Sequence, residues 1–392
     1  MKGVFIFEKR IFKNPAGIYF DPVFTDRVLS RYTSVVDELY IIARVDHLDL
    51  PDVEIEKKYS RITLPNVHVV EIDNVLSPFG LLKYPSMRRR ILDCLSDADV
   101  VFVRAPTIWQ QMVASWAKKH GKRCILEVGA DAWATYWHEG WKGRPMALYM
   151  ELSTRKVVRS ASHVVYVTDQ WLQEKYPTSG QSIACSNVDI ELQPPSVLEE
   201  RLEKIRTLSG PLHLGTLASV SARSKGQDTI IETLAFLKSK GGADFVYHLA
   251  GPGDSTRLRR LAARLGVADN VRFDGLVHHD KIGDWFRSID LYVQPSRQEG
   301  LPRALIEAMS FALPAFGART GGIPELLPSA QIFDYSVSPV AQCRSIIASF
   351  DQVALTRSAR QNFERAAQFS RDILDIRRHS FFLSALRKDS AS

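Results

Sequence analysis

Two glutamates carry the clearest chemistry in the chain. In Leu291-Tyr-Val-Gln-Pro-Ser-Arg-Gln-Glu299-Gly-Leu-Pro302-Arg-Ala-Leu-Ile-Glu307-Ala-Met-Ser a strand-like apolar run gives way to a loop and then to a helix opened by proline. Proline suits the first helical position because its missing donor would have been an orphan there anyway. Gly300 lets the backbone come close to a ligand, and the amides of Gly300 and Leu301 stand where a helix start favours phosphate. Glu299 lies at the loop tip and Glu307 about one and a half helical turns past Pro302, so the two carboxylates can bracket one elongated ligand. Beside a diphosphate a carboxylate is useful as an acceptor for the hydroxyls of a sugar or ribose. Two arbitrary glutamates would be solvated surface groups. Glu307 differs because it falls between Ile306 and Met309 in an apolar helix, where a partly buried carboxylate needs a partner.

Other candidates are less specific. Asp131 follows a predicted strand end, where a carboxylate either binds sugar or acceptor hydroxyls or caps a helix. Trp133, Trp137 and Trp141 can stack on a sugar, dip into a membrane interface or pack in the core. The turn Gly251-Pro-Gly253 is of a frequent kind. Cys94, Cys124, Cys185 and Cys343 lie far apart without a C-x-x-C pair, and only His278 and His279 are adjacent among the 10 histidines. That spacing suits reduced cysteines and gives no metal site.

The elements that must position these residues are short β-rich runs alternating with helical patterns. They are Val4 to Phe7, Glu38 to Ala43, Val67 to Ile72, Val100 to Arg104, Arg123 to Val128 and Val164 to Val167. Their lack of polar alternation indicates parallel strands covered on both faces. Leu192-Gln-Pro194-Pro195-Ser breaks the composition and marks the expected domain linker. A second series follows, with strands at Leu212 to Gly215, Phe245 to Ala250, Val271 to Asp274, Leu291 to Gln294, Leu313 to Gly317 and Gln331 to Phe333. Ile230, Leu234 and Leu237, then Leu258, Leu261 and Leu265, have the spacing of buried helical stripes. The predicted fold is α/β, with two doubly wound domains at 1–195 and 196–370. A last helix, 371–388, docks back on the first domain through Ile373, Leu374, Ile376, Phe381 and Phe382. Ligands of such sheets bind beyond the carboxyl ends of the strands.

With 392 residues, 45% hydrophobic and 24% charged, the chain has the make-up of a globular protein of two domains. No apolar run reaches the roughly 18 residues of a membrane span, and the opening Met-Lys-Gly-Val-Phe-Ile-Phe runs into Glu8-Lys-Arg10 without the pattern of a secretory leader. A cytoplasmic location is expected. The net charge of +7 draws the protein to something anionic. Arg88-Arg89-Arg90, Lys118-Lys119 and Lys122-Arg123 are either solvated helix faces or a surface for anionic lipid at the inner face of the plasma membrane. No nucleic-acid-binding motif accompanies the charge.

Glu299 to Glu307 resembles the E-x7-E element of the retaining family 4 glycosyltransferases with the GT-B fold. The likeness runs on through Leu313-Pro and Gly321-Gly-Ile-Pro-Glu325-Leu-Leu, and upstream to Gly215-Thr-Leu, Lys225-Gly-Gln-Asp-Thr-Ile-Ile, Ala250-Gly-Pro-Gly253 and Phe273-Asp-Gly275-Leu-Val277. Glu127-Val-Gly-Ala-Asp131-Ala-Trp and Tyr166-Val-Thr168 are similar to bacterial surface-polysaccharide transferases. The resemblance implies two Rossmann-like domains facing each other across a cleft, with the donor held by the C-terminal half. It implies that Glu307 binds ribose, Glu299 the transferred sugar and Lys225 the diphosphate, whose developing negative charge a mobile cation offsets. Gly253, Val277, Gly300 and Leu301 would line the same donor site.

The chain departs from the pattern in three places. Thr216 stands where the family often has a phosphate-binding arginine, and Arg223 and Arg303 are either its substitutes or surface charges. Ala16-Gly17 is all that corresponds to the glycine pair after the first strand. Asp131 stands in the region where many relatives place a histidine. The activity implied is retaining transfer of a hexose-type unit from a nucleotide-diphosphate sugar, UDP favoured and GDP the alternative, without a metal cofactor. The acceptor would be a hydroxyl of a glycan or lipid-linked oligosaccharide in polysaccharide biosynthesis. A soluble small-molecule acceptor and a GT-B sugar-nucleotide epimerase are the rival readings.

Overall fold

The computed structural model describes residues 1–21, 23–56, 58–74, 80–137, 143–241 and 245–387. The chain divides into two compact units, one of residues 1–167, 172–185 and 375–392, the other of residues 168–171 and 186–374.

The first unit is built on β1 (Lys2–Lys13), β2 (Tyr19–Asp21), β3 (Glu38–His47), β4 (Ser60–Arg61), β5 (Val67–Ile72), β6 (Val100–Ala105), β7 (Arg123–Val128), β8 (His163–Tyr166) and β9 (Gln181–Ala184). Seven strands run parallel in the order β5-β3-β1-β6-β7-β8-β9, and β2 and β4 add an antiparallel flap. Residues 100–105 of β6 are buried without exception, as expected of a strand covered on both faces. β1 continues well past the predicted Phe7. The charged Glu8-Lys-Arg10 stretch is absorbed by a register shift against β3 between Ile6 and Arg10, the local widening that a bulge allows. Beyond it the chain turns back as a hairpin into β2.

The second unit carries a six-stranded sheet of β10 (Leu212–Leu217), β11 (Phe245–Ala250), β12 (Val271–Gly275), β13 (Leu291–Gln294), β14 (Ala315–Ala318) and β15 (Ile332–Phe333). The order is β12-β11-β10-β13-β14-β15 and the pairs are parallel. Strand order reverses between β10 and β13, which makes the carboxyl ends of these two strands the switch point where such sheets take ligands.

Pro194 and Pro195 open the helix Pro195–Arg206 inside the second unit. Arg201 of that helix is buried and donates to the carbonyls of Ile289 and Phe286 at 2.7 and 2.8 Å, so the segment expected as a linker is tied to this unit. The crossing between units that lies nearest to it is at Cys185–Ser186. In the final helix, Arg371–Leu386, Leu374, Phe381 and Phe382 are buried. Phe382 packs on Tyr32 and Phe102 of the first unit. Ile373 and Ile376 are exposed, because the helix turns its other face inward, and Leu265 is exposed at a helix C-cap.

Candidate active site

The switch point of the second unit gathers the predicted residues of its two central strands. β10 leads into a single 3-10 turn, Arg223–Lys225, followed by Gly226 in the left-handed region with φ 69° and then the helix Gln227–Ser239. Any Cβ at Gly226 would collide with the carbonyl oxygen of Pro295, just after β13. Glycine is therefore required both by φ and by the approach of the two loops. Arg297 fixes that approach. Its guanidinium donates to the carbonyl of Arg223 at 3.0 Å, to Asp228 at 2.8 Å and to Thr229 at 3.0 Å, and its own amide donates to Ser224 O at 2.7 Å.

The result is an ion pair between Lys225 Nζ and Glu299 Oε1 at 2.6 Å, with the two side chains 28% and 12% exposed. Glu299 Oε1 also accepts from Gln294 Nε2 at 3.1 Å, and Tyr292 OH donates to Gln294 Oε1 at 3.1 Å. Burial pushes the Tyr292 phenol well up, and the nearby negative charge of Glu307 and Glu299 adds to this, so it stays a protonated donor. A line of hydrogen bonds thus runs from the sheet core to the Glu299 carboxylate and holds it at the mouth of the strands.

The loop 299–301 rests on a second close approach. A Cβ at Gly321 would collide with Glu299 O, and one at Gly322 would come within 2.7 Å of Leu301 Cδ1. Gly322 N donates to Gly300 O at 2.7 Å. The helix Arg303–Ser310 begins one residue later than expected, with Pro302 as its N-cap rather than its first residue. Glu307 lies on it half-buried, next to the buried Ile306 and Ala308. Among the described residues, no protein acceptor takes the amides of Gly300 or Leu301, which stand at an anion-favouring helix start.

Thr216 is buried, its hydroxyl donating to Val293 O at 2.8 Å and lying 2.7 Å from Tyr247 OH. Its side chain is committed to the sheet. Arg223 and Arg303 are both exposed, Arg223 on the same turn as Lys225. Gly253 has φ 113°, and a Cβ there would press on Ser221, which seats the Gly251–Gly253 turn against the loop after β10. Val277 is partly exposed in the loop after β12.

The first unit treats its two candidates differently. Gly17, with φ 83°, sits in the β1–β2 hairpin, where its amide donates to Asn14 O at 3.0 Å. That amide closes a turn instead of opening a helix. Asp131 accepts from Ala134 N at 3.2 Å as a helix cap, pairs with Lys175 at 2.5 Å and accepts from Tyr176 OH at 3.2 Å. Tyr176 also reaches Glu151, at 2.5 Å. The capping alternative is what the geometry displays. Trp133 and Trp137 stack at 4.9 Å, and Trp141 lies outside the described residues.

Several residues of these sites had no signal in the sequence that pointed to them. Gln294 was legible only as a polar residue closing an apolar strand. Arg297 and Lys175 carry no motif that sets them apart from ordinary surface cations. Glu325 accepts the amides of Asp169, Gln170 and Trp171 at 2.6, 3.1 and 2.6 Å, a capping role that its Gly-Gly-Ile-Pro-Glu context did not reveal.

Comparison with known proteins agrees with this geometry. Residues 211–339 match the family described as "Glycosyl transferases group 1". "Protein CapJ" of Staphylococcus aureus is 28% identical over 80% of this chain and 78% of its own. A "GDP-mannose-dependent alpha-(1-6)-phosphatidylinositol monomannoside mannosyltransferase" of Mycobacterium tuberculosis is 26% identical over 62% of this chain and 65% of its own. Among solved structures, Alr3699/HepE of Anabaena in complex with UDP superposes with a TM-score of 0.68 at 16% identity, over 98% of this chain and 100% of that one. The match over residues 211–339 and these relatives support a glycosyltransferase of the group 1 type, and the likeness of the two parallel-sheet units to solved structures shows the GT-B fold.

Proposed function

We propose that the enzyme transfers a hexose-type sugar from a nucleotide-diphosphate donor to a hydroxyl of a glycan or lipid-linked acceptor, with retention and without a metal. The observation that carries this reading is the Lys225–Glu299 pair at 2.6 Å, set at the β10/β13 switch point with Glu307 one helix further on. Lys225 offsets the charge that grows on the departing diphosphate, and the amides of Gly300 and Leu301 add fixed partial positive charge. Glu299 accepts hydroxyls of the sugar and Glu307 those of the ribose. In the free site Glu299 already orients the Lys225 ammonium, so phosphate joins a cation held in place. The departing phosphate oxygen then takes the proton of the acceptor hydroxyl on the same face of the sugar, and the enzyme supplies orientation and charge stabilisation.

A UDP-sugar donor is favoured by the likeness to HepE, which was solved with UDP. The mannosyltransferase, whose name gives GDP-mannose, keeps a GDP-sugar as the second reading, and its phosphatidylinositol monomannoside acceptor supports an acceptor borne on lipid. Thermal shift across UDP- and GDP-sugars tests the donor, since a ligand at a hundred times its Kd stabilises the native state by about 2.7 kcal/mol. A shift with one nucleotide series, followed by release of that nucleoside diphosphate on addition of acceptor, is expected. No shift with either series would overturn the proposal.

A further inference from the structure

The surface of the first unit carries a feature that sugar transfer does not use. The helix Gly143–Ser160 buries Ala147, Met150, Val157 and Val158, yet its opposite face shows Leu148, Tyr149 and Leu152 at 55%, 50% and 58% exposure. The spacing 148, 152, 156 keeps these residues and the exposed Lys156 on one stripe, with Arg155 and Arg159 beside it. Near the start of the helix, Arg144 lies 4.9 Å over the ring of Trp137, which is itself 36% exposed. Large apolar groups side by side in water are unfavourable unless something covers them.

Next to this stripe is a hollow of about 320 Å³ lined by Lys118, Lys122 and Lys156. A second hollow shares Lys118 and Lys156 and adds Leu152, Arg155 and Arg159, so the apolar stripe and the basic hollows are continuous. No acidic residue lines either one. Arg155 is paired with Glu151 at 2.8 Å. Among the described residues, Lys118, Lys122, Lys156 and Arg159 form no ion pair. The lysine-rich segment 118–122, ambiguous in the sequence, is therefore brought into register with Lys156 by the packing of the helices Gln110–Lys119 and Gly143–Ser160. Both lie toward the amino-terminal edge of the sheet, where β7 begins at Arg123 and β8 at His163, away from the strand ends that bind ligands.

We propose that this face docks the enzyme on an anionic phospholipid bilayer. Leu148, Tyr149 and Leu152 enter the headgroup–acyl boundary, and Lys118, Lys122 and Lys156 meet the lipid phosphates. The combination selects a bilayer over nucleic acid or an acidic protein surface: cations would serve any of the three, but the leucines gain only from an apolar layer. Among the described residues no helix is long and apolar enough to cross a membrane, so the contact is interfacial. The inference deepens the reading of a lipid-borne acceptor and rests on it for its purpose, though the binding itself is measured without any sugar.

The test sediments the full chain with phosphatidylcholine vesicles, with and without phosphatidylglycerol, in low and high salt. Two variants accompany it, Leu148→Ser/Tyr149→Ser/Leu152→Ser and Lys118→Glu/Lys122→Glu/Lys156→Glu, each checked for folding by circular dichroism and for UDP-induced thermal stabilisation. Wild type is expected on anionic vesicles only. The lysine variant should partition at least about a hundredfold more weakly, and the apolar variant should also lose binding, both with an unchanged response to UDP. Failure of wild type to sediment with anionic vesicles, undiminished sedimentation of either variant, or retention on duplex DNA alone would overturn the docking surface. Loss of the UDP response in wild type would instead strike at the donor reading and leave the vesicle result standing.

Discussion

Two carboxylate–cation pairs near the carboxyl ends of central strands, one taken from each unit, are built in opposite ways. In the first unit Arg104 and Glu127 face each other across the β6–β7 ladder. Their side chains are 11% and 2% exposed, 2.7 Å apart, with Tyr32 OH donating to the same carboxylate at 2.7 Å and the guanidinium packed over Phe5, Phe7 and Phe24. In the second unit Lys225 and Glu299 hang on loops and stay partly open to solvent. A pair sealed inside aromatic rings is a fixed part of the sheet. A pair held by close backbone approaches at Gly226 and Gly321, and still partly exposed, can exchange one partner for a ligand. Similar chemical groups thus divide into architecture and function by how they are enclosed.

Breaking the sealed pair should have the largest effect on stability. Glu127→Ala leaves an uncompensated buried guanidinium and should cost about 3–5 kcal/mol, read by urea denaturation. Breaking the open pair should act on rate instead: Lys225→Ala is expected to lower kcat roughly a hundredfold to a thousandfold with a change of about 1 kcal/mol or less in stability. If both variants lost stability equally, the contrast would fail. Glu307→Ala should raise KM for the donor about tenfold to a hundredfold through the lost hydroxyl acceptor, with a smaller effect on kcat. Gly226→Ala should cost roughly 1–3 kcal/mol of backbone strain and lower activity by shifting Lys225; wild-type kinetics in this variant would show that the loop approach does not set the site. The smallest effect concerns acid. Burial alone would raise the Glu127 carboxyl, but Arg104 and Arg378 outweigh it and hold the group below its ordinary value. A depressed carboxylate adds stability above its unfolded value, near about 4.3, and loses that stability as pH falls. Glu127→Gln should therefore flatten the decline in stability on the acid side.

What the sequence revealed of these two regions follows the same division. The Glu299–Glu307 segment was legible because strand, loop, glycine and helix are contiguous. Its partner Lys225 became legible only through family likeness, since the contact depends on a loop 74 positions away. Arg297 was invisible for that reason. In the first unit, Arg104 sits inside a strand where periodicity predicts a core residue, and only the ladder brings Glu127 beside it. Gly17 was placed after a short first strand because Glu8-Lys-Arg10 reads as a strand end, whereas the register shift carries β1 through those charges into a hairpin. Ile373 and Ile376 show the complementary difficulty: an apolar helix reveals its residues but not which face its neighbours will cover.

The grip of Glu325 on the amides of Asp169, Gln170 and Trp171 bears on how the molecule can be dissected. Those three residues lie in the chain between β8 and the rest of the first unit, yet they belong to the second. The polypeptide crosses between units after 167, 171, 185 and 374, so no single cut in the gene yields either unit whole. A fragment of 186–374 would leave the Glu325 carboxylate without the three donors that now hold it, and would shed a strap that the full chain laces in from elsewhere.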